Sequence, residues 1–373
     1  MKLREYQAKT LFSQQGIAIP RGKIVKTAGE AAETTGAFGS PVVIKPQLGV
    51  KGRGKVGGIG FAGNPQAAEQ EAARLLGSTI KGEKVETLLV EEKAAIEDEL
   101  YIAVTVDYSA RQPVIIASPE GGVDIEETAK IHPERIFRIP VNILKGPAPG
   151  DITQAADKMG KDTARYIEKL YRIFRRYDAE LVEINPLVRT TGGNLCAVDA
   201  VLNINEDSVF RHEELSAFKR EIPVDDPIAA EASLSGWTYI DLPGDIGILS
   251  SGAGLTMAIL DLIHKSGGSP ANFLDTAQID DEGIYNAFEL LSRAKKTRVL
   301  LVNIFAGLNR CDKLAMGIRR YLKDHPPEIP LVVRMIGNLE ADGHRILREM
   351  GVEPFSRLED AVGQAVKLSK AAG

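Results

Sequence analysis

Glu180-Leu181-Val182-Glu183-Ile184-Asn185-Pro186-Leu187-Val188, followed by Leu195-Cys196-Ala197-Val198-Asp199, is the stretch on which the reading of this chain turns. Both runs are short and apolar, and Thr190-Thr191-Gly192-Gly193-Asn194 between them is turn-rich, so together they predict a β-hairpin. Within the first run, Glu183 and Asn185 are two residues apart, and the period of a strand sends them to one face. Asp199 ends the second run. A carboxylate, an amide oxygen and a second carboxylate converging on one face form a hard-oxygen set suited to Mg²⁺, which keeps waters and shares substrate phosphates. Polar groups inside an apolar strand are costly unless partnered, which favours a site over a solvated strand end.

With 373 residues the chain has room for two or three domains. A net charge of -5 implies neither a nucleic-acid nor a membrane-surface partner. The start, Met1-Lys2-Leu3-Arg4-Glu5-Tyr6, has no apolar leader pattern, and no long apolar run follows. The two cysteines, Cys196 and Cys311, lie far apart without metal-ligand spacing. That usage fits a reducing cytoplasm and no disulfide framework.

Toward the N-terminus, Leu3 to Gln15 has helical spacing, Gly22 to Lys26 reads as a strand, and Ala28 to Thr35 as a helix stopped near Gly36. A strand Pro41–Pro46 carries Lys45 and leads into Gly49-Val50-Lys51-Gly52-Arg53-Gly54-Lys55. Glycines let backbone N–H groups approach phosphate oxygens, and Lys and Arg neutralise the charge. The order is not that of a P-loop, and a loop of this composition also fits an ordinary surface turn. Thr87-Leu88-Leu89-Val90-Glu91-Glu92 reads as a strand running into an acidic pair, and strands over 100–107 and 113–118 follow. Asp124, Glu126 and Glu127 suit the first turn of a helix, where they complement its dipole. Helices are expected over 152–159 and 163–177.

These pieces, in order, carry a resemblance. Glu-Tyr-Gln-Ala-Lys near the start, Val-Ile-Lys before Gly-Arg-Gly-Lys, Leu-Val-Glu, Glu-Gly-Gly-Val, Glu-Ile-Asn-Pro-Leu-Val and then Asp199 resemble the succinyl-CoA synthetase β-subunit family. Gly252-Ala253-Gly254-Leu255, Ala271-Asn272-Phe273-Leu274-Asp275, Val302-Asn303-Ile304-Phe305 and Arg310-Cys311-Asp312 extend it over nearly the whole chain. The resemblance implies an α/β chain with an N-terminal ATP-grasp domain over 1–235, whose inner subdomain spans about 21–95. It implies a doubly wound, flavodoxin-like domain over 236–373. It also implies roles. Lys45, Gly52, Arg53 and Gly54 would hold the nucleotide phosphates, and Glu91 and Glu99 would serve the ribose and phosphate side. Asn185 and Asp199 would hold Mg²⁺, and Glu183 would meet a phosphohistidine brought by a partner α subunit. A carboxylate there has a physical logic, since it can orient an imidazole whose other nitrogen attacks the γ-phosphate. None of the chain's own histidines, His132, His212, His264, His325 and His344, sits in a nucleophile motif.

Beyond a polar linker over 220–226 and a helix over 227–234, the pattern becomes alternating. Strands over 245–250, 271–274, 298–305 and 331–335 each precede a helix, and a last helix runs over 358–370. This predicts a parallel sheet with helices on both faces and ligands beyond the strands' carboxyl ends. Ser250-Ser251-Gly252-Ala253-Gly254 opens one helix, and Ala306-Gly307-Leu308-Asn309-Arg310 is a second Gly loop. Both suit an anion, and both also fit plain connecting loops.

Here the chain departs from succinate-using relatives, which have Asn where Ser251 stands and Gly-Gly-Ile-Val where Ala306-Gly307-Leu308-Asn309 stands. After Leu-Asp they carry three glycines, against Thr276-Ala277-Gln278 here. The form Ala-Gly-x-Asn-Arg-Cys-Asp resembles malate–CoA ligase β subunits. The expectation is therefore a β subunit of an ADP-forming acid–CoA ligase that uses Mg²⁺ and ATP, with CoA bound mainly by the α subunit, in an αβ or α2β2 assembly. Ser251, Gly307, Leu308 and Asn309 would bind a small dianionic acid: succinate, malate or a sulfo-carboxylate. The alternatives are a nucleotide-binding paralogue without activity and a self-contained ATP-grasp ligase.

Overall fold

The computed structural model describes residues 1–49, 57–123, 125–221, 226–294 and 296–371. Gly52, Arg53, Gly54 and Asp124 lie outside the described residues. The chain divides into two compact units, Met1–Pro223 and Val224–Gly373.

The first unit opens with α1 (Glu5–Gln14) and then builds a small sheet. Strands β1 (Gly22–Val25), β2 (Val42–Pro46) and β3 (Gly60–Ala62) precede a short hairpin, β4 (Thr79–Ile80) with β5 (Glu83–Lys84), and then β6 (Leu88–Glu92). The sheet order is β1-β6-β2-β3, and every pairing is antiparallel. Its core face packs on α2 (Ala28–Phe38) and α3 (Pro65–Leu75), which contribute Ala31, Ala68, Ala72 and Leu75. Thr27 and Glu30 close a capping box at the start of α2. Gly36 does not stop this helix. It lies beside Pro65 of α3, where an added Cβ would make an ordinary 3.6 Å contact, and Gly39, at φ +68°, forms the left-handed end.

The larger sheet of this unit is antiparallel, built from β7 (Ile96–Asp107), β8 (Gln112–Ser118), β9 (Phe137–Pro140), β10 (Ala179–Thr190), β11 (Leu195–Ala197) and β12 (Val201–Ile204). The predicted hairpin is β10 with β11. Helix α4 (Ile125–Ile131) follows β8, and α5 (Pro149–Met159) and α6 (Ala164–Arg176) precede β10. One face of the sheet carries Leu100, Ile102 and Val104 of β7 with Val182, Ile184 and Leu187 of β10. It packs on Leu11 and Phe12 of α1 and on Ile167, Leu170, Ile173 and Phe174 of α6. The intervening residues Tyr101, Ala103, Glu183 and Asn185 therefore face the other way. Helix α7 (Ser216–Glu221) ends the described part of this unit.

The second unit begins with α8 (Pro227–Leu234) and the edge strand β13 (Thr238–Asp241). The sequence put this helix in the first domain, with a boundary after 235. It stands instead with the second unit, because Ala232 packs into the same core as Tyr239 and Phe288. Then come β14 (Ile246–Ser250), α9 (Ala253–Lys265), β15 (Asn272–Asp275), α10 (Asp281–Ser292), β16 (Val299–Ala306) and α11 (Cys311–Asp324). They are followed by β17 (Leu331–Gly337), α12 (Glu340–Glu349), β18 (Pro354–Phe355) and α13 (Leu358–Ala371). The sheet order is β13-β15-β14-β16-β17-β18, parallel except for β13. Helices α10, α11 and α12 cover one face, and α9 and α13 the other. Strands β14 and β15 share a single ladder pair, Ser250↔Asp275. Buried Asn272 completes the junction, accepting from the Ile248 N–H at 2.9 Å and donating to the Ile248 carbonyl at 2.8 Å.

Candidate functional site

In the first unit, Val42 and Ile44 of β2 and Leu88 and Val90 of β6 face the small core, so Lys45 and Glu91 turn to the opposite side. There they meet α1. The Lys45 ammonium lies 3.0 Å from Glu5 and 2.9 Å from Glu91, and it donates to the Val198 carbonyl. Lys9, one helical turn after Glu5, lies 2.6 Å from both oxygens of Glu91, 2.9 Å from Glu5 and 2.8 Å from the same carbonyl. Burial alone would push Lys45 toward its neutral form. The carboxylates of Glu5, Glu91 and Asp199 outweigh that and raise its pKa, so it stays protonated.

Around the hairpin, the pairs Glu183↔Val201 and Leu187↔Ala197 keep one register on either side of a gap in the ladder. Asn185 and Asp199 both fall in that gap, beside a register shift between Ile184 and Leu187 on the β7 side of β10. The gap leaves the Val198 carbonyl free of the ladder and open to the two lysines. The Asn185 amide clamps the loop after β8, accepting from Gly122 N–H at 2.8 Å and donating to the Val123 carbonyl at 3.1 Å. Its oxygen keeps a second lone pair. Gly121 N–H bonds the Glu99 carbonyl at 2.8 Å, and the Glu99 carboxylate lies against Gly122, where an added Cβ would be 1.9 Å from it. Between β7 and β10 the pair Ala103↔Glu183 makes Tyr101 the diagonal neighbour of Glu183. Tyr101 is 4% exposed, and its pKa is raised first by burial and then by Glu183 and Glu126.

Asn185 and Asp199 are the two hard-oxygen groups that the sequence offers for a metal. Among the described residues no group of three or more His, Cys, Asp or Glu is placed to hold a metal ion. Two protein oxygens fit Mg²⁺, which completes its shell with waters and phosphates, and do not fit an all-protein cage.

In the second unit, Ser251 and Asn309 line one crevice of about 20 Å³ with Thr276, Ile279 and Asn303, room for about one water. Three contacts bear on the anion-binding reading of these loops. The Gly252 N–H at the start of α9 is already held by Asp275 at 2.7 Å. The Gly307 N–H bonds the Phe305 carbonyl at 3.1 Å, and Leu308 is 79% exposed. Asn309 is tied to its own chain, donating to the Ile279 carbonyl at 2.6 Å.

An ATP-grasp domain model matches residues 2–189, and a CoA-ligase model matches residues 249–368. The ADP-forming succinate–CoA ligase β subunit of Staphylothermus marinus is 41% identical to this chain, covering 99% of each. Its counterparts in Methanothermobacter thermautotrophicus and Herpetosiphon aurantiacus are each 39% identical, covering 99% of this chain and 100% of their own. This chain belongs to the succinate–CoA ligase β-subunit family. The fold agrees: an ATP citrate lyase from Methanothrix soehngenii, solved with citrate and coenzyme A, aligns over 98% of this chain and 99% of its own with a TM-score of 0.75 at 20% identity.

As a succinate–CoA ligase β-subunit relative, the protein is part of an ADP-forming acid–CoA ligase. Sequence reasoning passed over Glu5, Lys9 and Tyr101. The signal for the first two was present, because a Glu and a Lys four apart share one helix face. Tyr101 sits in an alternating strand and gives no sign that it faces away from the core.

Proposed function

We propose that this chain binds Mg²⁺-ATP in its first unit and passes the γ-phosphoryl group to a histidine of an α subunit. The buried Lys45 cluster at the Val198 carbonyl, with Asp199 acting on Lys45, supports this reading. Lys45 neutralises phosphate charge, with Gly52, Arg53 and Gly54 as further contacts, while Glu91 and Glu99 border the nucleotide. Bound at Asn185 and Asp199, Mg²⁺ supplies charge neutralisation of the phosphates. Glu183 orients the incoming imidazole and stabilises its positive charge. The N–P bond forms as the bond from the γ-phosphorus to the bridging oxygen breaks, and ADP leaves. The phosphoryl group then passes to a carboxylate oxygen of the acid, and the CoA thiol attacks the acyl carbon with release of phosphate.

A histidine from a second chain is consistent with the five present here. Buried His344 bonds the Met335 carbonyl at 2.7 Å, His212 pairs with Asp178 at 2.8 Å, and His325 stacks on Tyr321. His132 lies 3.4 Å from Glu134, and His264 is in the last turn of α9. The acid is a small dianion, succinate by family and malate or a sulfo-carboxylate by the departures at Ser251 and Asn309. The assembly is αβ or α2β2. Among the described residues no helix is long and apolar enough to cross a membrane, and we place the enzyme in the cytoplasm.

The test is Glu183→Gln in the complex with the α subunit and labelled ATP. Folding and nucleotide binding should persist while label on the α histidine falls by orders of magnitude. Unchanged labelling would remove Glu183 from the chemistry. Acyl-CoA formation by this chain alone would favour the self-contained ligase.

A further inference from the structure

Tyr101 of β7 stands opposite the irregular stretch of β10. The ladder pairs Ile184↔Ile102 and Leu187↔Leu100 leave Asn185 and Pro186 together facing Tyr101, so β10 bulges there. The pair Ala103↔Glu183 makes Glu183 its diagonal neighbour on the same sheet face. On its other side Tyr101 pairs with Ser118 of β8, whose hydroxyl accepts from the Glu120 N–H at 3.1 Å at the start of the loop that Asn185 clamps. Burial first, and then the charges of Glu183 and Glu126, raise the pKa of the Tyr101 phenol, so it stays protonated; among the described residues it forms no hydrogen bond. Tyr166, just as buried, donates to the Leu195 carbonyl at 2.8 Å. A phenol inside a protein ordinarily has such an acceptor.

We propose that Tyr101 is a catalytic residue of the phosphoryl transfer, its hydroxyl donating a hydrogen bond to a non-bridging oxygen of the γ-phosphoryl group as that group passes to the α-subunit histidine. Glu183 orients the receiving imidazole, so the phosphoryl group must come close to a carboxylate, and Glu126 adds a second negative charge. Like charges repel at such range. A neutral O–H donor beside them offsets that repulsion, and no proton changes hands. Because the bulge and the two neighbouring strands fix the ring, the donor needs no reorganisation when charge arrives. This rests on the reading of Glu183 as the carboxylate that meets the histidine.

Single-turnover transfer of label from ATP to the α histidine, in the complex with the α subunit, tests it. Tyr101→Phe keeps the ring and removes only the hydroxyl. Transfer should slow about a hundredfold or more, the scale of one lost donor to developing charge, while affinity for Mg²⁺-ADP and the denaturation midpoint stay as they were. An unchanged rate overturns the proposal. So does a slower rate that comes with an equal loss of ADP affinity or a lowered midpoint, which marks a packing role. If Tyr101→Phe does not fold, 3,5-difluorotyrosine at position 101 decides, because its phenol ionises at lower pH. Transfer should then fall with rising pH in step with that ionisation, and a profile equal to the unaltered protein's overturns the proposal. Glu183→Gln separates the two levels: normal transfer in that variant removes Glu183 from the chemistry and the Tyr101 proposal with it, whereas slow transfer there beside a normal Tyr101→Phe refutes the Tyr101 proposal alone.

Discussion

The side-chain amide of Asn309 donates to the backbone carbonyl of Ile279 at 2.6 Å, fastening the loop after β16 to the loop after β15. Both loops lie at the carboxyl ends of parallel strands, where a doubly wound sheet places its ligand. Asn309 therefore shapes the crevice it shares with Ser251 by holding its wall.

This changes what substitutions there should do. Asn309→Val removes the tether and should cost about 1 kcal/mol of stability, lowering kcat/KM for every acid together. Ser251→Asn restores the family's residue without touching the tether and should shift preference toward succinate. The measurement is kcat/KM for succinate, malate and sulfoacetate with the α partner, beside denaturant midpoints. A selective gain for succinate in Asn309→Val at full stability would show that the amide is a substrate contact after all.

Ala277 stands at φ +50°, in the left-handed region that favours glycine. A Cβ in that conformation costs roughly 1–2 kcal/mol, while glycine loses more chain entropy on folding. Because Ala277 is exposed, no packing is lost on removing the methyl. Ala277→Gly should raise stability by about 0.5–1 kcal/mol, the surplus of strain over entropy. A lower denaturation midpoint would contradict this account of the strain.

Gly121 and Gly122 should not be equally replaceable. A Cβ on Gly121 would lie 2.2 Å from the Leu100 carbonyl oxygen, a backbone atom with nowhere to go. On Gly122 the obstacle is the movable end of Glu99, leaving mainly the strain of φ +69°. Gly121→Ala should thus displace the loop from Asn185 and cost about 1–3 kcal/mol, with α phosphorylation lost. Gly122→Ala should be the milder of the two. Equal effects in unfolding and labelling assays would count against the loop as a positioned element.

The two thiols give a pH dependence. Burial pushes Cys196 up to about 11, with Glu91 adding to it and Lys9 and Lys45 opposing. Burial, then Glu340 and Asp312, push Cys311 up to about 11. The ordinary value is 9.0, so the unfolded chain ionises first. Their contribution to stability is complete below about pH 9 and is lost as pH rises from about 9 to about 11. At pH 8 buried Cys311 should not react with an aromatic disulfide until the protein is unfolded, and half-buried Cys196 should react more slowly than a free thiol. Replacing both with Ala should flatten the decline between pH 9 and 11. Fast labelling of the native protein at pH 8 would refute the burial argument.

Much of the fold was legible because its signals are local. Periodicity and caps placed β14, β15, β16, β17 and α8 (Pro227–Leu234) within a residue or two. What escaped has no local signature. Strands β3, β9, β12 and β13 are four residues or fewer, and only pairing with a neighbour makes them strands. Gly36 carries the mark of a helix stop, but α2 runs on to Phe38 and ends at left-handed Gly39.

By itself the sequence determined the hairpin, the order of its chemical groups and the family that order resembles. Lys45, Glu91, Glu183, Asn185 and Asp199 are recognisable from residue type and spacing, because carboxylates, amides and lysines in apolar strands are costly without a task. Only the tertiary structure decided what each group faces. It brought Lys9 and Glu5 of α1 onto Lys45 and Glu91, strands far along the chain. It also tied the Asn309 side-chain amide to the Ile279 carbonyl. The reason is that hydrogen bonds and ion pairs depend on distance and angle, and those are set by the packing of elements remote in sequence.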